Sequence, residues 1–406
     1  MQRIAVAVMM LFSFAVPWEY SLDLGEPFGN IARLLGLLLL VVCIALMLRQ
    51  GTIRKPGPVQ WAVLALYLYF VCSYFWTASP VMTLEKMRAY FQVMMIVWLV
   101  WEVAKTPGDL RGMMRAFVAG CWVLAILTVL NYASAEAMAT EQIRFVAEGQ
   151  DPNDVARFLD LGFPLATLLF ATERRWWMRT MAVVYVPFGL LAVMLTASRG
   201  GFFGALAALL GSAMVLVLWR PRGASMVFLG LAVTVGALWL FVPFSSLDRL
   251  ATIPQQLAAG DLNDRLNIWT AGWHAFTRAP WFGYGAGTFA TAAGLSPGDT
   301  AHNTVMAVLV TGGLIGTAIF VATVALTGWS VVRVGGLLRV ALGTSLVVWL
   351  ITSMVGSVEE NRTTWLLFGM VTVAARLAHE HPLSLARVFA GLEARSKPVV
   401  QAFAVR

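Results

Sequence analysis

Charged side chains are scarce in this 406-residue sequence, where they make up 12% of the residues against 59% that are hydrophobic. The mean hydropathy is accordingly high, at +0.76. Soluble domains carry about twice that share of charge, so the balance excludes a soluble protein. Apolar stretches of about 18 to 20 residues, long enough to cross a bilayer, instead recur from one end of the chain to the other.

Cysteine, histidine and the common catalytic motifs are also rare or absent. Cys43, Cys72 and Cys121 all fall within apolar stretches, which argues against disulfides and thiol–metal sites and favours small core residues. The sequence contains no Asp-x-Asp pair, His-x-x-x-His motif or acidic cage, so we expect no metal ion and no other cofactor. P-loops, dinucleotide fingerprints and nucleophile elbows are missing too, which argues against nucleotide-driven chemistry.

The apolar stretches predict an all-α polytopic membrane protein with about twelve transmembrane helices. We expect one transmembrane domain over residues 1–406, with a single larger outer loop at 244–302 and a cytoplasmic tail at 379–406. The predicted spans are 4–18, 31–48, 59–76, 89–104, 113–131, 155–172, 180–197, 202–219, 224–243, 303–328, 340–357 and 364–378.

The distribution of Lys and Arg predicts how the protein is oriented. With the N-terminus inside, 19 of the 29 basic residues but only 5 of the 21 acidic ones lie on the cytoplasmic side. The net charge of +8 is therefore a topology signal and does not indicate nucleic-acid binding. Both termini are predicted to be cytoplasmic, and the basic clusters are expected to contact anionic membrane lipids.

The larger outer loop contains one segment with helical periodicity. Its apolar residues recur at three- and four-residue spacing, at Leu266, Trp269, Trp273 and Phe276. The pattern ends before Pro280. We expect an amphipathic helix that lies on the membrane surface with its aromatic side down. Arg265 belongs to its first turn. The loop then leads to Asn303, a predicted cap of the tenth span.

Three residues far apart in the sequence are predicted to share the outer face: Arg199, Arg265 and His302. A guanidinium binds two phosphate oxygens at once and stays charged when partly desolvated, which suits a lipid-linked diphosphate. An imidazole titrates near neutral pH and can accept a proton from a sugar hydroxyl. Each residue also has a simpler interpretation, as an interfacial anchor, a solvated surface charge and a helix-start histidine respectively.

Candidate secondary substrate-binding residues lie in two further outer segments. In DPND, at 151–154, Asn153 stands in capping range of the sixth span, and Arg157 follows just inside that span within reach of a phosphate. Arg362 belongs to the segment 359–362. That segment either forms a local ion-pair cluster or helps to orient the histidine.

Several of these segments together resemble the core pattern of the bacterial O-antigen ligase and polymerase superfamily. They are DPND at 151–154, SRGG at 198–201, DRLNIWTAGWHAF and PWFGYGAGTF within 264–289, and AHNTVMAVLVTGGLIG at 301–316. The resemblance implies a GT-C-like glycosyltransferase of the bacterial inner membrane. Such an enzyme uses an undecaprenyl-diphosphate-linked glycan on the periplasmic side. In the ligases the acceptor is the lipid A-core oligosaccharide of lipopolysaccharide.

The resemblance also implies roles for the three outer residues. Arg199 and Arg265 would contact the diphosphate, and His302 would activate the acceptor hydroxyl, in an inverting, metal-independent transfer. One larger loop and twelve spans favour a ligase, while a polymerase and a protein O-oligosaccharyltransferase of the same superfamily remain alternatives. A transporter of lipid-linked sugars is the alternative from another class, and it would be expected to show two related halves and polar residues near mid-membrane.

Overall fold

Helices make up almost all of the regular structure in the computed structural model, which describes residues 1–25, 29–137, 144–220, 236, 242–252 and 265–390. No strand occurs within these ranges. The helices are α1 Gln2–Ala15, α2 Ile31–Gln50, α3 Pro58–Cys72, α4 Pro80–Val103, α5 Pro107–Ala137, α6 Pro152–Thr172, α7 Trp176–Leu195, α8 Arg199–Trp219, α9 Phe244–Ala251, α10 Arg265–Arg278, α11 Phe289–Ala293, α12 Thr304–Val332, α13 Gly336–Ser353, α14 Arg362–Glu380 and α15 Pro382–Phe389.

Nine helices in the described part are long and apolar enough to cross a membrane. They are α1 with its continuation to Ser21, α2, α3, α5, α6, α7, α8, α12 and α13. Because these helices recur from Gln2 to Ser353, the protein is a multi-pass helical membrane protein.

Two other helices follow predicted spans but are more polar. Helix α4 begins at Pro80 and not at residue 89, so the predicted start of the fourth span is wrong. The first turns of α4 contain the charged residues Glu85, Lys86 and Arg88. These charges lower the hydropathy of the segment without preventing a helix. Helix α14 covers the predicted span 364–378. The predicted ninth span, 224–243, lies outside the described residues except at 236, 242 and 243.

Helix α6 lies in the centre of the bundle, where nearly all of its side chains are buried. Glycines on α8 allow the two helices to approach closely. A Cβ on Gly201 would lie 2.2 Å from the Cβ of Ala156, and one on Gly204 would lie 2.4 Å from Oδ2 of Asp160. Lipid supplies no hydrophobic force between helices, so such close packing stabilises their association. The contact places the first residue of α8 beside the first turns of α6.

Contacts between helix ends define one face of the bundle. Asn361 Nδ2 donates to Asp154 Oδ2 over 3.5 Å, which brings the start of α14 to the start of α6. Arg362 pairs with Glu19, in the turn that continues α1. We call this end, where α6, α8, α12 and α14 begin, the site face.

The opposite face holds the first and last described helices. Gln2 Nε2 donates to the carbonyl oxygen of Val103 over 2.9 Å. Arg54 pairs with Glu380 at 3.1 Å. The start of α1 and the end of α14 therefore lie on the same side of the bundle.

The segment that follows α10 inserts into a break in α12. The break lies at Gly313, where φ is 60° and ψ is −164°. The backbone groups around it pair with the inserted segment, through Tyr284 N to Val310 O at 3.0 Å and Gly285 N to Thr311 O at 2.9 Å. Within a membrane, backbone groups need such partners inside the protein. These bonds join the larger loop to the bundle and position α10 relative to α12.

The surface helix α10 ends at Arg278, close to Pro280 as the sequence predicts. Its predicted apolar side is divided between two environments. Phe276 is buried against α12, whereas Leu266 and Trp273 are 50% and 51% exposed. The protein therefore covers the part of this apolar side that contains Phe276 and leaves Leu266 and Trp273 about half exposed.

The break at Gly313 yields a prediction about stability. A Gly313→Ala substitution places a Cβ 2.5 Å from the carbonyl oxygen of Trp281, in a conformation that only glycine adopts readily. We expect a loss of about 1–3 kcal/mol, seen as a lower thermal midpoint of the detergent-solubilised protein. Gly328→Ala in the same helix is the matched control, because its Cβ would meet no atom within 4 Å. Equal midpoints for the two variants would contradict this account of the break.

Candidate functional site

Arg199 is the first residue of α8, at the site face. The preceding Ser198 caps this helix, and its side chain accepts a hydrogen bond from Gly201 N. The guanidinium reaches the end of α9, where Nη2 donates to Thr252 Oγ1 over 2.6 Å and Nε donates to the carbonyl oxygen of Arg249 over 3.3 Å. Arg199 therefore connects the start of a membrane-spanning helix to the larger loop.

The start of α6 is tied to the same turn. Asp151 caps α6, accepting hydrogen bonds from the backbone N–H groups of residues 153 and 154, so the cap is not Asn153, which lies inside the helix. Ser198 Oγ donates to Asn153 Oδ1 over 2.8 Å. Arg144 Nη2 approaches the same oxygen at 3.4 Å, and Arg144 Nε donates to the carbonyl oxygen of Thr196 over 3.1 Å. Asn153 thus joins the turn before Arg199 to a second arginine.

His302 is positioned by α10. Trp269 Nε1 donates to the carbonyl oxygen of Ala301 over 2.9 Å. Arg265 lies four residues before Trp269, so both side chains lie on the same side of α10 and face the segment that carries His302. Asn303 then caps α12 as predicted, accepting from Met306 N. His302 Nδ1 lies 3.4 Å from Thr300 Oγ1.

Two residues of the site have an unfavourable backbone conformation. In the described part of the chain, Ala197 and His302 are the residues other than glycine with positive φ, and both values are 47°. Such conformations cost on the order of 1–3 kcal/mol for most residues and concentrate at functional sites. Each of the two precedes the cap of a helix that begins at the site face.

Four arginines of the site face act on one another electrostatically. Burial lowers the pKa of Arg144, and Arg249, Arg265 and Arg199 lower it further against the opposing effect of Asp151. Burial also lowers the pKa of Arg265, where Arg199 adds to the effect and Asp151 opposes it. The cluster therefore brings several guanidinium groups together, and Asp151 is the acidic residue that acts on both Arg144 and Arg265.

The same field acts on His302. Burial lowers its pKa below the ordinary value of 6.5, and Arg265 lowers it further. Asp151, Asp299 and Asp154 oppose the shift. The imidazole is consequently neutral at pH 7 and can accept a proton. The structure brings Arg199, Arg265 and His302, the three residues selected from the sequence, into one charged cluster.

The secondary candidates have different surroundings. Asn153 belongs to the cluster, through its contacts with Ser198 and Arg144. Arg157 is 2% exposed and pairs with Asp154 at 2.7 Å, inside the bundle and away from solvent. Within the described residues, the ion-pair partner of Arg362 is Glu19, on another helix. The predicted ion-pair cluster within 359–362 is therefore wrong, because these side chains find partners on other helices, such as Lys86 for Glu360 at 2.5 Å.

Sequence analysis missed two arginines of the cluster, Arg144 and Arg249. Arg144 lies in the segment before α6 and Arg249 in the short helix α9, with no motif around either, and the folded chain alone brings them to the site. Nε of Arg249 is buried and has no hydrogen-bond partner in the described ranges. Buried donors of this kind usually have a partner, which makes Arg249 a candidate contact for an anionic ligand.

Comparison with known proteins bears on the same part of the chain. The family model described as O-antigen ligase matches residues 184–321, about a third of the chain. No curated protein matches the sequence. The matched segment supplies Arg199, Arg249, Arg265 and His302, and it includes the surface helix and most of α12. The match confirms the resemblance recognised in the sequence, and this part of the chain is similar to the O-antigen ligase family.

Proposed function

We propose that the protein transfers a glycan from undecaprenyl diphosphate to the lipid A-core oligosaccharide, on the periplasmic face of the bacterial inner membrane. The family match supports the coarser statement that it is a glycosyltransferase-like enzyme of the ligase and polymerase superfamily. The observation that carries the finer proposal is the convergence of four arginines and a neutral histidine at the site face. This set of groups fits a diphosphate leaving group and a hydroxyl nucleophile.

The arginines stabilise the leaving group in this mechanism. As the bond between the anomeric carbon and the diphosphate oxygen breaks, negative charge grows on that oxygen. Guanidinium groups that are already in place stabilise this charge more in the transition state than in the ground state. Arg199 and Arg265 are the principal contacts, and Arg144 and Arg249 add positive charge from the outer loops. These guanidinium groups neutralise the diphosphate in the role that a metal ion plays in other phosphate sites.

His302 acts on the acceptor. Its neutral imidazole takes the proton from the incoming hydroxyl, whose oxygen forms a bond to the anomeric carbon on the side opposite the leaving diphosphate. The configuration at the anomeric carbon is inverted, and undecaprenyl diphosphate leaves with both electrons of the broken bond. No covalent intermediate with the protein is needed.

The central prediction concerns glycan transfer by purified protein in detergent. Arg199→Ala, Arg265→Ala and His302→Ala should each lower the rate by about a hundredfold or more, because each removes a group that acts in the transition state. Arg278→Ala and His274→Ala are matched controls on α10, where both side chains are exposed, and they should keep near-normal rates. Normal transfer by all three site variants, at equal protein level, would refute the mechanism.

The same assay distinguishes the alternatives. Transfer that requires added lipid A-core indicates a ligase, whereas elongation of the lipid-linked glycan without that acceptor indicates a polymerase. Transfer onto a protein acceptor indicates an O-oligosaccharyltransferase. Detergent micelles contain no separate compartments, so product formation there excludes a pure transporter.

The unsatisfied Arg249 yields a second prediction. Arg249→Gln keeps the backbone carbonyl that accepts from Arg199 but removes the positive charge. We expect kcat/KM for the lipid-linked donor to fall about tenfold, a change of about 1.4 kcal/mol. Arg278→Gln should leave it unchanged, since Arg278 lies at the far end of α10 from the cluster. An unaltered kcat/KM in Arg249→Gln would remove this residue from the site.

The shifted pKa of His302 yields a prediction about pH. Because this pKa lies below 6.5, the imidazole is unprotonated at pH 7. The value of kcat/KM should therefore fall only as the pH drops below 6.5. Asp299→Asn removes a neighbour that raises the pKa of His302. The acid limb of the profile should therefore move to lower pH, with little change in rate at pH 7.5. If the acid limb moves to higher pH in Asp299→Asn, or persists in His302→Ala, it arises from a group other than His302.

A further inference from the structure

A groove at the edge of the bundle is separate from the charged cluster. It lies between α1, α2 and α4 and encloses about 430 Å³, open space included. Along α2 its lining runs from Ala32 to Leu40, which spans about 12 Å of helix. Phe12, Met95 and Leu99 provide apolar walls on the neighbouring helices.

Both charged residues of the groove lie at its site-face end. Arg33 stands in the first turn of α2, and Arg362 is the first residue of α14. Arg362 uses one of its five donors for Glu19, which leaves others for a ligand. Arg33 is exposed and has no ion-pair partner within the described residues. Both charged residues that line the groove are therefore positive, and one of them is paired with a carboxylate.

The shape and the charge together select one class of occupant. A partner helix, about 10 Å across, would need more volume than the groove provides over this length. An alkyl chain fits the narrow apolar part, and an anionic phosphate fits paired arginines at the level of the membrane interface. We propose that the groove binds a membrane lipid with an anionic phosphate headgroup, its phosphate on Arg33 and Arg362 and one chain along α2.

The position of this groove relates it to the candidate site. Arg362 follows Asn361, whose side chain contacts Asp154 at the start of α6. A lipid headgroup held by Arg362 is therefore one helix away from the arginine cluster. The lipid site does not depend on glycan transfer, and a catalytically inactive protein should still bind the lipid.

The test uses native mass spectrometry of the delipidated full-length protein titrated with phosphatidylglycerol. Arg33→Gln should weaken the tightest binding step about tenfold or more, because one of the two phosphate contacts is lost. Gly36→Phe should weaken it similarly by filling the groove beside Phe12, whereas Gly36→Ala should bind as the wild type does. Diacylglycerol, which lacks the phosphate, should bind at least tenfold more weakly than phosphatidylglycerol.

Arg49→Gln is the matched control, since Arg49 is exposed in the last turn of the same helix, away from the groove. It should leave the affinity unchanged. Equal weakening in Arg33→Gln and Arg49→Gln would show general attraction of anionic lipid to basic helix ends and would overturn the proposal. So would wild-type affinity in Arg33→Gln, or equal affinity for diacylglycerol. Thermal midpoints of all variants establish that the folded protein is compared.

Discussion

Repulsion between like charges is the constraint on which the arrangement of the site face depends. Neighbouring guanidinium groups help to lower the pKa of Arg144 and of Arg265, and the N-termini of α6, α8 and α12 add partial positive charge at the same end. Such a cluster cannot hold itself together. Rigid helices and hydrogen bonds to backbone carbonyl groups keep it in place. Arg144, for example, donates to the carbonyl oxygen of Thr196. The packing of α8 on α6 through glycine therefore serves the electrostatics of the site.

Backbone strain has a related role. The left-handed residues Ala197 and His302 each turn the chain sharply just before a helix begins. The helix caps that follow, Ser198 and Asn303, contribute about 1 kcal/mol each, which offsets part of the cost. The same side chains also orient the site, since Ser198 contacts Asn153 and Asn303 Nδ2 donates to the carbonyl oxygen of Met354 over 3.1 Å. Local stability and site geometry thus depend on the same few bonds.

Much of the fold could be predicted because apolar stretches and helix caps are local signals. Asn303 caps the helix expected of it, although α6 is capped by Asp151 and not by Asn153, and the multi-pass helical architecture follows from hydropathy. The start of α4 was wrong because charges near a membrane surface lower hydropathy without ending a helix. Arg199, Arg265 and His302 came from a family pattern. Arg144 and Arg249 have no such pattern around them, and only tertiary contacts place them in the cluster.

The arginines of the site face have two kinds of surroundings. Arg157 and Arg362 each lie within ion-pair distance of a carboxylate, Asp154 and Glu19 respectively. For Arg144 and Arg265, burial and neighbouring guanidinium groups outweigh Asp151, and their pKa values are lowered. A bound dianion would reverse that balance, because it would raise the proton affinity of every arginine around it. Its negative charge would also favour the protonated form of His302, which is the form that follows transfer of the hydroxyl proton. Binding of the donor would therefore make the imidazole a better base at the step where a base is needed.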